Sequence, residues 1–299
     1  MAIMTTTDWA VLRLLRPLPP RPFTYLSHLW LFRRPPSFRN PRTFTEHVHA
    51  KKLFERDRLF TLTADKYAVR DYVAERVGAE RLVPLLAVAD DPADLDFDKL
   101  PNAFVAKASH GNNANLIVRD KAGLDWAASV KTMRRWVADN WYRYNKEWAY
   151  LNIPPRIVVE EFLDDGGRPP VDYKFFVFSG KARLIQVDTG RFSQHRRNLF
   201  DEHWRSLAVA LRYPRPPAPP PRPALLPEML AVAERLGKDF TFARVDLYQH
   251  RGRVYFGEIT HYPGGGSEDF DPLEFDHALG EVWRSGRAIP ERFYDSPRE

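Results

Sequence analysis

Two periods alternate along the chain. A helical register runs through residues 43–60, where Thr43 can cap the helix and Val48, Lys52 and Glu55 continue its spacing. Asp65 opens a second helix to about Val77, with Tyr67, Val69, Tyr72 and Val73 at helical spacings and Gly78 as a stop. Residues 123–145 carry Trp126, Val130, Met133, Trp136 and Val137, then Trp141, which predicts a helix or helix pair whose aromatic stripe faces a core. Between these lie short apolar runs of strand type: Leu82–Val88, Phe104–Ala108, Asn115–Val118 and Arg156–Phe162. Val171–Phe178, Ser179–Gly180 and Lys181–Val187 read as a hairpin, as do Ala243–Gln249 and Arg253–Thr260 around Gly252. Tyr213–Pro227 holds eight prolines and reads as an extended linker or surface loop. Pro227 then suits the first turn of a helix with Met229, Val232 and Leu236 on one face. Antiparallel hairpins mixed with helices, and no internal repeat, predict an α+β fold.

Composition narrows this picture. The 299 residues are enough for one or two domains with a large core. The absence of cysteine excludes disulfides, thiolate metal sites and cysteine nucleophiles. The net charge of +6 favours acidic partners. Seven arginines and no acid lie between Val11 and Thr45, among prolines dense enough to prevent one continuous helix. This stretch is either a solvated lead-in or a peripheral contact with a membrane surface. No apolar run of membrane-spanning length occurs, and no secretory signal is evident, so a cytoplasmic location is expected.

The last hairpin carries candidate chemistry. Side chains alternate across a strand, so Arg244, Asp246 and Tyr248 share one face, as do Glu258 and Thr260 on the next strand. A turn centred on Gly252 sets Asp246 opposite Glu258, with Cβ atoms roughly 5 Å apart. Two carboxylates so placed repel unless compensated. A divalent cation would do this, and hard oxygen ligands suit Mg²⁺. Ordinary salt bridges on a solvated face are the other reading of the same residues. Gly257 and Gly264–Gly266 would let backbone approach a ligand.

Six segments occur in order: Asp65-Lys66-Tyr67, Phe104-Val105-Ala106-Lys107, Val159-Glu160-Glu161-Phe162-Leu163, Asp172-Tyr173-Lys174-Phe175-Phe176, Arg244-Val245-Asp246-Leu247-Tyr248 and Phe256-Gly257-Glu258-Ile259-Thr260. Together they resemble the TupA-like ATP-grasp proteins of teichuronopeptide and polysaccharide biosynthesis, from about Pro41 to Gly280. The resemblance implies two lobes with antiparallel sheets that clasp ATP, and Mg²⁺ held by Asp246, Glu258 and Thr260. Thr260 stands where the family pattern has Asn, and a hydroxyl is a poorer cation ligand than an amide carbonyl. Lys66 and Lys107 match the lysines that reach the ATP phosphates. Glu160, Glu161, Phe162 and Leu163 match the hinge that meets adenine, and Asp172 matches the acid near the ribose. Arg244 matches the arginine that stabilises the tetrahedral intermediate, Lys174 is placed to reach phosphate, and Arg191 is a candidate for a substrate carboxylate or phosphate. The loop after Lys107 includes Ser109 and Gly111 but only one glycine, so Asn must supply the left-handed backbone angles that close it.

The expected organisation is a basic lead-in at 1–42, an N-terminal and small ATP-grasp lobe at 43–155, and a C-terminal lobe with the metal site at 156–299. The expected function is an ATP-dependent carboxylate–amine ligase acting through an acyl phosphate, with a uronic acid or amino acid as substrate in surface glycan assembly. A kinase acting on a hydroxyl needs the same lysines and metal and is one rival. A non-catalytic ATP-binding component of a glycan-assembly complex is another. Nucleic-acid binding comes third, without an aromatic–basic platform to support it.

Overall fold

The computed structural model describes residues 5–166, 169–190 and 194–295. Along the chain the elements run α1 (Thr6–Leu15), α2 (Pro20–Phe32), α3 (Phe44–Phe54), α4 (Arg58–Ala64), α5 (Val69–Val77), β1 (Leu85–Ala89), β2 (Phe104–Ala108), β3 (Asn115–Val118), α6 (Trp126–Val137), α7 (Tyr142–Asn145), β4 (Ile157–Glu161), β5 (Asp172–Phe178), β6 (Lys181–Thr189), β7 (Arg196–Phe200), β8 (Ala210–Leu211), α8 (Leu226–Gly237), β9 (Phe242–His250), β10 (Arg253–Thr260), β11 (Phe270–Asp271) and α9 (Glu274–Ser285). The fold is α+β. It divides into two compact units, one of Met1–Glu55, Val171–Gln249 and Ile259–Glu299, the other of Arg56–Pro170 and His250–Glu258.

Local chemistry sets the helix ends. Thr43 and Glu46 form a reciprocal capping box that starts α3. The single helix expected over 43–60 is two. Glu55 takes an extended conformation, and the Asp57 carboxylate accepts the Leu59 N–H at 2.9 Å, which opens α4 afresh. The helix expected from Asp65 begins at Val69, because Asp65 accepts the Tyr67 N–H at 2.8 Å and holds a turn. The Arg- and Pro-rich stretch forms α1 and α2, with Pro19 and Pro20 at the start of α2, where the missing N–H is harmless.

In the first unit the sheet order is β10-β9-β5-β6-β7, and only the Ile259–Thr260 end of β10 belongs to this unit. The strands β9, β5, β6 and β7 are joined antiparallel. Ser179 and Gly180 take φ of 45° and 80°, the positive pair that a two-residue hairpin requires. One face is apolar along its length: Phe175, Val177, Ile185, Val187, Val245 and Leu247 are buried there, and α8 packs on β5 and β6. Gly237 at the end of α8 is necessary for that contact, since a Cβ there would lie 2.5 Å from Val177 Cγ1. The other face changes character along the strands. Its Phe176, Phe178 and Phe242 pack with Phe44 of α3 and Trp283 of α9, at ring distances such as 5.2 Å for Phe44–Phe242 and 4.4 Å for Phe242–Trp283. One pleat further on, that face carries Asp172, Lys174, Arg244 and Asp246. The aromatic end is thus the anchor that holds the charged end in register.

Two buried lysines lock α3 down. Lys51 Nζ donates to Phe242 O at 2.8 Å, and Lys52 Nζ donates to Gly265 O at 3.0 Å. Gly264, Gly265 and Gly266 all have positive φ, and a Cβ on Gly266 would lie 2.7 Å from the His49 ring. In the structure these glycines approach a helix.

The second unit has a four-stranded antiparallel sheet of order β1-β4-β2-β3. Phe104, Ala106, Ala108, Val118, Ile157 and Val159 point to a core closed by Met133 of α6, with Trp126 and Trp136 packed against it. Alternation puts Lys107 and Glu160 on the opposite face.

Several histidines of the first unit are buried beneath the α2–α3 packing. His28 lies against Phe32, Phe38 and His49, and neither ring nitrogen of His28 has a hydrogen-bond partner. Burial, with Arg34 and Lys52 nearby and Glu46 opposing, lowers its pKa to about 4. His47, stacked on Trp283, is lowered to about 4 by burial and Arg284. The unfolded chain therefore binds more protons than the folded one between the ordinary histidine value of about 6.5 and about 4. Stability is fully present above that window and falls as pH drops through it, by up to about 1.4 kcal/mol per pH unit for each such histidine. Urea midpoints measured against pH should show this slope, and His28→Leu should flatten it. An unchanged slope in the variant would mean that His28 is not buried neutral.

Candidate functional site

The charged end of the first unit's sheet is built by strand register. Lys174 on β5 pairs directly with Asp246 on β9, and Asp172 with Tyr248. Lys174 is buried, and its Nζ donates to Asp172 Oδ2 and to Asp246 Oδ2, each at 2.5 Å. Arg244 Nε donates to Asp246 Oδ1 at 2.7 Å, and its Nη2 to Asp246 Oδ2 at 2.8 Å and to Thr260 Oγ1 at 3.1 Å. Asp172, Lys174, Arg244, Asp246 and Thr260 thus form one network, in which two acids face two cations. Replacing such a buried set by apolar residues of similar size is often neutral or stabilising, so its presence points to a task other than stability.

The second unit holds the other candidates. Lys66 sits in the turn between α4 and α5. Its N–H donates to Ser109 O at 3.1 Å and its Nζ to Gly111 O at 2.6 Å. Burial lowers the Lys66 pKa, the Glu258 charge opposes that shift, and Lys107 adds to it. Lys66, Lys107 and Glu258 therefore lie within electrostatic reach of each other. Lys107 Nζ donates to Glu160 Oε2 at 2.7 Å, across the diagonal of the β2–β4 pair, and Arg70 Nη1 donates to Glu160 Oε1 at 2.8 Å. Ser109 is fully buried: its Oγ donates to Pro154 O at 2.9 Å and accepts the Arg156 N–H at 3.0 Å. A Cβ added at Gly111 would meet open space. Asn113 takes φ of 60°, the left-handed angle that lets the loop turn with few glycines. His110 is buried, with Nε2 3.0 Å from Trp136 O and Asp139 O. The Glu161 N–H donates to Pro84 O at 3.0 Å, and Phe162 and Leu163 are buried. Arg191 lies outside the described residues.

The donor set fits Mg²⁺ in kind. Asp246 and Thr260 offer hard oxygens in the first unit and Glu258 offers them in the second, the ligand chemistry that Mg²⁺ takes. Among the described residues there is no cluster of three or more His, Cys, Asp or Glu that forms an all-protein metal cage.

Some polar residues of this sheet face were not singled out in the sequence. Gln186 on β6 pairs directly with Lys174, and Gln186 Nε2 donates to Asp188 Oδ2 at 3.0 Å. Asp188 in turn accepts from Arg197 Nε at 2.6 Å, and Arg197 Nη1 reaches Glu268 at 3.1 Å. The polar row therefore continues from β9 across to β7. The signal was present in the alternation of Gln186 and Asp188, but β7 has no apolar period of its own.

A family model described as TupA-like ATPgrasp matches residues 46–284. No curated protein matches the chain. Among solved structures, D-alanine–D-alanine ligase from Bacillus anthracis complexed with ATP is similar at 18% identity, over 68% of this chain and 55% of that one, with a TM-score of 0.41. The ATP-grasp ligase PsnB, complexed with a phosphomimetic variant of its minimal precursor, Mg and ADP, is similar at 12% identity, over 76% of this chain and 59% of that one, with a TM-score of 0.41. N5-carboxyaminoimidazole ribonucleotide synthetase from Thermus thermophilus is similar at 13% identity, over 67% and 45%, with a TM-score of 0.39. The chain thus spans about half the length of these structures. With four-fifths of its length inside the family model, the chain belongs to the TupA-like ATPgrasp family and has its α+β ATP-grasp fold.

Proposed function

We propose that the protein is an ATP-dependent carboxylate–amine ligase that works through an acyl phosphate. The observation that carries this reading is the Asp172–Lys174–Asp246–Arg244–Thr260 network on one face of a sheet, with Asp172, Lys174 and Asp246 buried. In this reading Asp246, Glu258 and Thr260 hold Mg²⁺, which when bound neutralises phosphate charge. Lys66 and Lys107 meet the phosphates, with Ser109 and Gly111 in the covering loop. Glu160 to Leu163 line the adenine side, and Asp172 lies near the ribose.

A carboxylate oxygen attacks the γ-phosphorus and ADP leaves. An amine nitrogen then attacks the carbonyl carbon and gives up a proton, and phosphate leaves as the C–O bond breaks. Arg244 neutralises the oxyanion that develops in this second step. It is held rigid by Asp246 and Thr260, so it needs no reorganisation when charge appears. Lys174 fixes the spacing of Asp172 and Asp246 and would meet a phosphate oxygen. Arg191 is the proposed partner of a substrate carboxylate. A uronic acid or an amino acid is the proposed substrate on the family resemblance, and surface glycan assembly is the proposed setting, in the cytoplasm where ATP is supplied. ADP release measured against uronic acids crossed with amino acids tests this: release that needs both a carboxylate and an amine supports the ligase, and release driven by a hydroxyl alone would replace it with a kinase.

Lys107 gives a separable prediction. Lys107→Ala should weaken ATP by about tenfold or more, an energy of about 1.4 kcal/mol, and adenosine far less. Calorimetric titration with the two ligands checks it. Equal losses would move Lys107 away from the phosphates.

A further inference from the structure

We infer that α2, with α1 beside it, is a docking face for an anionic lipid surface. The α2 helix has its polarity arranged the wrong way round for a packed helix. On α2 the buried positions are Phe23, Thr24, Ser27 and His28, three of them polar. The outward positions Tyr25, Leu26 and Leu29, at helical spacing, are apolar and exposed. An ordinary surface helix does the reverse. On α1, Trp9 and Leu14 stand 50% and 78% exposed, while Leu12 is buried. Trp30 Nε1 donates to Asp8 Oδ1 at 2.9 Å, so the two helices are tied together.

Charge decides the occupant. Arg13, Arg21, Arg33, Arg39 and Arg42 are exposed in this region, while Arg34 is paired with Asp276. The sole acid of α1 and α2 is Asp8, which serves as the capping-box partner of Thr5. A second copy of this chain would set arginines against arginines, which disfavours self-association. Exposed Trp, Tyr and Leu side chains, with exposed arginines in the same stretch of chain, match the interface of an anionic bilayer, where rings and Leu sit at headgroup depth and guanidinium groups meet phosphate. No helix among the described residues is long and apolar enough to cross a membrane, so the contact is peripheral.

Sedimentation of the full chain with vesicles tests this. Vesicles of phosphatidylglycerol mixed with phosphatidylcholine should carry the protein down, vesicles of phosphatidylcholine alone should carry little, and high salt should weaken binding. The triple variant Tyr25→Ser, Leu26→Ser, Leu29→Ser and the double variant Arg13→Gln, Arg21→Gln should each lose roughly tenfold or more in vesicle affinity. ATP turnover should be unchanged in both, since neither touches the sheet face. Three results would overturn the proposal: wild-type protein that stays in the supernatant, triple-variant binding equal to wild type, or a concentration-dependent dimer in sedimentation velocity that the triple substitution abolishes.

Discussion

Glu258→Gln is expected to lower ATP turnover by at least about 100-fold while leaving the fold intact, the scale seen when one preorganised electrostatic group is lost. Glutamine keeps the shape and removes only the charge. Glu258 sits half-buried on β10, so the substitution leaves no cavity. Two effects act in the same direction. In the proposed reading a carboxylate that holds the metal becomes a neutral amide, which is a weaker partner for Mg²⁺. In addition, the Glu258 charge works against the burial that lowers the Lys66 pKa. Without it Lys66 loses its proton at lower pH, so ATP binding in the variant should fall off earlier than in wild type as pH rises. Steady-state ADP production gives the first effect and ATP titration against pH the second. Unchanged turnover would sink the metal assignment of Glu258.

The second large effect is on stability. Lys174→Met should destabilise the protein by about 3 kcal/mol, because it leaves Asp172 and Asp246 buried without the ammonium that bridges them. Arg244 stays on Asp246, which keeps the loss near the low end of the range for a broken buried ion pair. Adding Asp172→Asn removes one of the two repelling charges and should recover part of the loss. A double-mutant cycle by chemical denaturation measures this coupling. Additive losses would mean that the 2.5 Å contacts of Lys174 do not bind the two acids into one network.

What could be read in the sequence follows from how local each signal is. β2 and β3 begin and end where the apolar runs do, at Phe104–Ala108 and Asn115–Val118. The hairpin turns at Ser179–Gly180 and Arg251–Gly252 were legible because positive φ leaves a mark in residue choice. The shared face of Arg244 and Asp246 came from alternation alone, and the structure joins them at 2.7 Å. The pairing of Lys174 with Asp246 was not legible, since it depends on β9 lying beside β5, a choice of strand order that no local period encodes. β7 escaped notice because Arg197 and Asn198 are polar yet buried, Arg197 by pairing with Asp188 and Glu268, so its pattern looks like surface. The helix α9 did carry a signal, with Phe275, Ala278, Leu279 and Val282 at helical spacing. The α1–α2 pair was hidden for a different reason: its proline density reads as loop, and its outward face is the apolar one.

Hydroxylamine trapping tests most directly whether this sheet face supports acyl-phosphate chemistry. Purified protein is given ATP, Mg²⁺, a panel of uronic and amino acids, and hydroxylamine in place of the amine. The expected product is a hydroxamate that requires both ATP and the carboxylate, is formed in step with ADP, and is still formed by Arg244→Met, whose amide-forming step is slowed. ADP release with no hydroxamate, and with phosphate recovered on a hydroxyl of the substrate, would contradict acyl-phosphate chemistry.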